Sequence, residues 1–336
     1  MADSLYHVAG IGNAIVDVLV HADDGLLHTL GLAKGVMTLI DSGEAERIYG
    51  LLPPGVECSG GSAANTLAGV ASLGARAAYV GKVKGDQLGE VFRHDIRSAG
   101  VAFDTPAAPD GPSTARCFVL VTPDAQRTML TYLGACVELA PDDVDPAMIA
   151  ASDITYLEGY LYDPPLAKQA FLKAADCAHK AGRQVALSLS DPFCVDRHRA
   201  AFLDLLADHV DILFANEAEL TALYRTADVD EALRQVRGHC RIAAITRGAQ
   251  GSVVVNGDTA VSVGADRVGQ VVDTTGAGDL YAAGFLAGLV QGRDLAGCAL
   301  LGGIAAGEVI SHMGARPERP LAELARTKLG QFNSNP

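Results

Sequence analysis

The run Val271-Val272-Asp273-Thr274-Thr275-Gly276-Ala277-Gly278-Asp279 couples a glycine-rich turn to a carboxylate. It leads into Leu280 to Val290, where Leu286, Leu289 and Val290 mark an apolar helical face. An apolar strand is therefore expected to end at Asp273 and a helix to open at the glycines. The backbone N–H groups of Gly276, Ala277 and Gly278 would then stand free at a helix N-terminus, where an anion is stabilised. Small residues there let a phosphoryl group approach the backbone. Asp279, in the first turn, is placed to accept a proton from a hydroxyl nucleophile beside that anion. The same residues also fit a plain strand-to-helix turn in which Asp279 complements the helix dipole.

Two further glycine-bearing segments carry polar side chains. Gly60-Gly61-Ser62-Ala63-Ala64-Asn65-Thr66 runs into Leu67, Val70 and Leu73, with Ser62 a candidate N-cap. One reading is a tight capped turn; the other sets bare backbone and the Asn65 amide against a polar ligand such as a ribose. Gly10-Ile11-Gly12-Asn13-Ala14-Ile15-Val16-Asp17 invites a dinucleotide fingerprint, but Ile15 stands at the third glycine position and no helix follows. A strand continuing through Val18-Leu19-Val20 fits better, with Asp17 able to hold a vicinal diol through both oxygens. No G-x-x-x-x-G-K-[ST] occurs, which excludes a Walker-type phosphate loop.

The elements that must position these residues follow a regular pattern from about Asp153. The β-rich runs at 154–157, 185–189, 210–214 and 242–245 alternate with helical patterns at 165–180, 198–207, 218–224 and 229–236. That alternation implies βαβ units and a parallel sheet with helices on both faces. Two stretches interrupt it. Ile15–Val20 and Val36–Ile40 look like strands without intervening helices, and Ala115–Thr122 with Thr128–Leu133 forms a hairpin around Pro123-Asp124-Ala125-Gln126. A small sheet set apart as a lid over a cleft accounts for both; a decorated domain edge is the alternative.

The 336 residues suit two domains, and 49% hydrophobic with 20% charged residues describes a packed chain rather than a disordered one. Trp is absent and aromatics make up 5%, so the core falls to small aliphatics, as under a parallel sheet. Asp+Glu 40 against Lys+Arg 26 gives a net charge of -14, which argues against sequence-independent nucleic-acid binding. The first Lys or Arg is Lys34, and glycines with Asn65 break the longest uncharged window, Cys58 to Ala75, so neither a secretory signal nor a membrane span is expected. Seven cysteines without a C-x-x-C pair read as reduced thiols of a cytoplasmic protein and argue against a zinc site.

Gly60-Gly61, Asp273 to Asp279 and the lid segments, in this order, resemble the PfkB family of carbohydrate and nucleoside kinases. The resemblance covers essentially the whole chain. It implies an α/β ribokinase-like three-layer sandwich with a mostly parallel central sheet and a small β-sheet lid. Residues 1–13, 56–100 and 137–336 would form the large body and 14–55 and 101–136 the lid. It also implies ATP-dependent phosphorylation of a primary hydroxyl, with Asp279 as base, Gly276, Ala277 and Gly278 as the anion hole, and Mg²⁺ on the phosphates. Asn216 and Glu219 are similar to the family's N-x-x-E element, Glu219 reaching Mg²⁺ through water; read alone they form a helix capping box. Thr246, Gly248 and Gly251 look like its T-x-G-x-x-G turn beside the nucleotide, with Thr275 nearby, and alone fit a hairpin turn. Arg127 is either a solvated turn charge or, as the family implies, a reach over the cleft to the phosphoryl group. A monovalent cation such as K⁺ accompanies the family expectation.

Within the family, Gly12-Asn13 through Asp17, the run Arg127 to Ala135 and Ser190-Asp191-Pro192-Phe193 are most similar to adenosine kinases. That similarity implies a ribose held by Asn13, Asp17, Gly61, Ser62 and Asn65, and an adenine between Cys117, Met129, Leu133, Tyr160 and Phe193. Val36 to Ile40 and Thr275 depart from the animal pattern. The expected activity is transfer from ATP to the 5′-hydroxyl of adenosine, with a sugar kinase of the same fold, acting on ribose or a phosphorylated hexose, as the alternative. A nucleoside sensor without turnover is disfavoured by the intact Asp279. Expected partners are small molecules only, with monomer and homodimer both open.

Overall fold

The computed structural model describes residues 4–124 and 126–332; Ala125, in the hairpin turn read above, lies outside the described residues. In chain order the strands are β1 (Tyr6–Ile11), β2 (Ile15–His21), β3 (Met37–Leu39), β4 (Val56–Gly60), β5 (Ala77–Val80), β6 (Val101–Phe103), β7 (Ala115–Val121) and β8 (Arg127–Tyr132). They continue with β9 (Ser152–Glu158), β10 (Gln184–Ser188), β11 (Ile212–Asn216), β12 (Ile242–Thr246), β13 (Ser252–Asn256) and β14 (Thr259–Val263). A nine-stranded sheet takes the order β14-β13-β12-β11-β10-β9-β1-β5-β6, parallel except where β13 and β14 fold back antiparallel on one edge. A five-stranded sheet takes the order β3-β8-β7-β2-β4.

This is the α/β architecture with a second, smaller sheet that the alternation implies. Three local expectations shift. Val56–Gly60 pairs with β2 and so belongs to the small sheet, while Val101–Phe103 pairs with β5 and extends the large one. The body and lid boundaries at 55/56 and 100/101 move accordingly. Val271-Val272-Asp273 joins neither sheet: the N–H groups of Val272 and Asp273 turn to the Ile310 carbonyl, at 2.8 and 3.4 Å, beyond the Leu295–Val309 helix. An apolar run next to a helix end found its acceptor there rather than in a strand.

Buried strands alternate their side chains between two cores, as a sheet covered on both faces requires. Val185 and Leu187 of β10 enter the core with Phe171 and Phe202. Ala186 enters the other, with Phe214 and Phe285. Phe285 is fully buried and meets Phe214 edge-on at 5.5 Å between ring centroids and 84° between planes. It anchors the helix Ala277–Val290 to the sheet, and that helix also packs on the helices Ser62–Ser72 and Leu295–Val309. The N-termini that carry the glycine motifs are thereby brought side by side.

Phe285→Ala is expected to lower stability by about 3–5 kcal/mol, read as a lower urea midpoint at unchanged slope. A loss below about 1 kcal/mol would contradict this anchoring role.

Candidate active site

Parallel strands bring their C-terminal ends to one edge of the sheet, where ligands of open α/β folds bind. That edge carries Asn13 after β1, Glu158 at the end of β9, Asn216 at the end of β11 and Thr246 at the end of β12. The small sheet supplies the facing wall. Its register sets Asp17 beside Cys117 and Cys117 beside Thr131, Leu19 beside Val119 and Val119 beside Met129, and Val121 beside Arg127. Strand alternation therefore puts Asp17, Leu19, Cys117, Val119, Arg127 and Met129 on one face.

The glycine pair is demanded by close approach. A Cβ on Gly60 would lie 2.2 Å from Asp17 Oδ2, and one on Gly61, whose φ is 93°, would lie 2.1 Å from the Asn13 carbonyl oxygen. Gly61, not Ser62, is the N-cap of the following helix. The Ser62 hydroxyl is left to donate to Asp279 Oδ1 at 2.6 Å, and Asn65 Nδ2 donates to Asp279 Oδ2 at 3.1 Å. Burial pushes the Asp279 carboxyl up; Ser62, Asn65 and the Arg316 charge pull it down but do not outweigh burial.

At the start of the Ala277–Val290 helix, Gly276 sits at φ 72° with Ala315 where a Cβ would be, 2.8 Å away. The Leu280 N–H closes the first turn on the Gly276 carbonyl at 2.8 Å, and the Ala277 N–H reaches the Thr274 carbonyl at 3.3 Å. Ala277 is thus partly engaged. The N–H groups open to an anion are those of Gly276, Gly278 and Asp279, a shift of one position from the sequence expectation.

Arg127 crosses from the lid to this segment. Its Nε lies 2.8 Å from Asp273 Oδ1 and its Nη2 donates to Thr274 Oγ1 at 3.2 Å, with only 17% of the side chain exposed. It is an interdomain latch rather than a solvated turn charge. Asp273 is the hub: Oδ1 also accepts from the Thr275 N–H and hydroxyl, both at 2.7 Å, and Oδ2 accepts from the Gly314 N–H at 2.9 Å. Asp17, Leu19, Asn65, Val119, Thr275 and Arg316 line a cavity of about 20 Å³ between lid and body. That is room for one water, so a sugar-sized molecule enters only when the lid moves away.

Glu158 and Arg316 carry the site's remaining polar contacts and were not singled out from the sequence. Glu158, 1% exposed, accepts from Asn13 N–H and Nδ2 at 3.3 and 2.8 Å and from the Ala63 N–H at 2.8 Å. Burial pushes its carboxyl up to about 7, against those hydrogen bonds. Asn13 is therefore tied to Glu158 rather than standing alone. The available signal was a charge closing the otherwise apolar Ile154–Leu157 run at the C-terminal end of a strand. Arg316, in a loop after the Leu295–Val309 helix, had no motif or period to mark it.

On the far side, Asn216 and Glu219 form the capping box in full. Asn216 Nδ2 and N–H donate to Glu219 Oε1 and Oε2 at 2.5 and 3.0 Å, and the Glu219 N–H donates to Asn216 Oδ1 at 2.9 Å. Burial, with Asp191 and Asp279 adding to it, pushes the Glu219 carboxyl up to about 7. Thr246, Gly248 and Gly251 bound the turn joining antiparallel β12 and β13, with Arg247 Nε on Glu217 Oε1 at 2.8 Å. Thr275 lines the cavity between the two sheets' faces and not this turn.

Of the five residues read as an adenine pocket, two are brought together on one face of the small sheet. Cys117 and Met129 share the lid's apolar face with Ile15, Leu19, Val119 and Met313. Tyr160 instead donates its hydroxyl to the Ser190 carbonyl at 3.2 Å. Leu133 precedes the short helix Gly134–Glu138. Phe193 is 74% exposed, because the helix begins at Pro192 and turns this position to solvent.

Residues 54–321 match the profile of the pfkB family carbohydrate kinases. The chain belongs to this family. Its members are phosphotransferases that act on hydroxyl groups, and family membership implies use of ATP. An adenosine kinase from Sinorhizobium meliloti is 54% identical, with a TM-score of 0.90 over 96% of this chain and 99% of that one. A probable sugar kinase from Rhizobium etli CFN 42 is 49% identical, with a TM-score of 0.92 over 97% and 99%. Among curated relatives, the 5-dehydro-2-deoxygluconokinase of Bacillus subtilis is 28% identical over 79% of this chain and 84% of its own. These kinases share the fold and divide over the acceptor. Among the described residues, no helix is long and apolar enough to cross a membrane.

Arg127→Met should free the lid. Faster hydrogen–deuterium exchange in β7 and β8 of the unliganded protein and a stability loss of about 1–3 kcal/mol are expected. Unchanged exchange would contradict the latch.

Proposed function

We propose that the chain is an ATP-dependent nucleoside kinase that phosphorylates the 5′-hydroxyl of adenosine. The observation that carries the phosphoryl-transfer half is the Asp279 carboxylate, fixed by Ser62 and Asn65 at the opening of a helix with unengaged N–H groups. Asp17 accepts from adjacent hydroxyls of the acceptor and so directs the primary hydroxyl toward Asp279. Asp279 takes the proton of that hydroxyl as the new phosphorus–oxygen bond forms. The N–H groups of Gly276, Gly278 and Asp279 offset the charge on the phosphoryl oxygens. Arg127, released from Asp273, is the cation within reach of the same oxygens. Lid closure keeps water from taking the acceptor's place.

Magnesium, carried in with the nucleotide, would neutralise phosphate charge. Both Glu219 oxygens are engaged by Asn216, and no three acidic, His or Cys side chains among the described residues cluster as a metal site. The fit is therefore an indirect one, through water, at Glu219. Adenosine as acceptor is supported by the 54% identity to the Sinorhizobium meliloti enzyme and by the Asp17 carboxylate at the cavity, whose two oxygens suit a diol. The sugar kinases among the relatives favour a second reading, a sugar kinase with the same chemistry. In either case an uncharged acceptor suits the site, because Asp17, Asp273 and Asp279 outnumber Arg127 and Arg316.

A panel with ATP separates the readings. Adenosine should be turned over with the highest kcat/KM, above inosine, ribose and fructose 6-phosphate; preference for ribose or fructose 6-phosphate would replace the nucleoside assignment. Burial pushes the Asp17 carboxyl up to about 7, with Arg316 opposing and Asp279 adding to it. The carboxylate is the form that accepts from hydroxyls. Acceptor kcat/KM should therefore fall as pH drops through about 7, and a profile flat from pH 8 to 5 would contradict this role.

A further inference from the structure

Arg316 reaches from the loop after the Leu295–Val309 helix to lid strand β4. Its Nε and Nη2 donate to the Ser59 carbonyl at 3.1 and 2.9 Å, and Nη2 also donates to Ser59 Oγ at 2.8 Å. Ser59 is fixed in turn, its N–H and hydroxyl donating to Asp95 Oδ2 at 2.7 and 2.6 Å. The remaining nitrogen, Nη1, is buried without a hydrogen-bond partner. Asn65 Oδ1 is in the same state, because Nδ2 of that amide is committed to Asp279. Arg316 and Asn65 line one cavity with Asp17, whose carboxylate accepts no hydrogen bond from the described residues. A native fold rarely leaves such groups unsatisfied, and at the wall of a cavity they are completed by water or by the ligand that displaces it.

We propose that Arg316 is a substrate-binding residue of the acceptor subsite, its Nη1 donating to a hydroxyl whose neighbours are held by Asp17 and Asn65 Oδ1. A donor set against two acceptors matches adjacent hydroxyls, each of which both donates and accepts. The guanidinium is half committed to Ser59, so it offers one contact rather than the fork a phosphate would take. Selection is thus for an uncharged vicinal diol. Arg316 has a second effect, on charge. Asp17 is faced by Cys58 from β4, Cys117 from β7 and Asp279 from the catalytic helix, and Arg316 is the cation among them. It favours the carboxylate that the diol requires.

The inference rests on the kinase reading above, and Arg316→Gln tests it separately. Expected are an acceptor KM and calorimetric Kd raised about tenfold, kcat within about threefold, ATP KM unchanged, and the acid limb of kcat/KM moved to higher pH. Preference for adenosine over 3′-deoxyadenosine should shrink, and Arg316→Lys, which keeps the charge, should return the limb toward its wild-type position. A folded Arg316→Gln enzyme with wild-type KM, limb and diol preference overturns the proposal, as does a loss confined to kcat. If the Gln variant melts near room temperature, Ser59→Ala must raise the acceptor KM in its place, and an unchanged KM overturns the proposal. Wild-type enzyme inactive on adenosine overturns the nucleoside reading instead. Arg316 is then tested identically on the sugar that is turned over and its deoxy analogue.

Discussion

Asp279 is held at both oxygens by side chains more than two hundred positions earlier in the chain, the Ser62 hydroxyl and the Asn65 amide. That double hydrogen bond can form only if two helices begin side by side. Each helix opens on a glycine at positive φ, Gly61 and Gly276, and each glycine is pressed against foreign backbone. The helices in turn lie on one face of the large sheet, fixed by contacts such as Phe285 on Phe214. Core packing, turn geometry and the placement of the Asp279 carboxyl are therefore successive consequences of one arrangement.

The body of the fold was legible because buried parallel strands and amphipathic helices alternate at lengths that local patterns reveal. The small sheet was legible as two interruptions of that rhythm. Sheet membership at its margins was not. Val101–Phe103 is three residues long, and nothing local distinguishes a partner in one sheet from a partner in the other. Val271–Asp273 is apolar enough for a strand, yet its N–H groups found an acceptor beyond a helix end. Hydrophobicity predicts burial; the hydrogen-bond partner is a tertiary property.

The site divides in the same way. Residues in the elements that flank glycine-rich turns, Asn13, Asp17, Ser62, Asn65 and Asp279, could be found because a turn that admits backbone so closely is itself a signal. Glu158 and Arg316 hold other groups, and those partners, Asn13, Ala63 and Ser59, lie far away in sequence. The aromatic residues show the converse. Phe193 and Tyr160 have the right chemistry to stack on a base, but no local pattern shows that a helix start exposes one and that the hydroxyl of the other bonds to Ser190. The net charge of -14 belongs to the whole chain, whereas the proposed anion site is made of backbone N–H groups.

The central claim is that Asp279 removes the proton of the acceptor hydroxyl and does little to bind the acceptor. Single-turnover phosphoryl transfer by Asp279→Asn, measured by rapid quench beside calorimetric acceptor affinity, tests it directly. The account predicts a rate lower by roughly 10²–10⁴-fold with affinity changed only a few-fold. A near-normal rate, or a loss that lies wholly in binding, would contradict it.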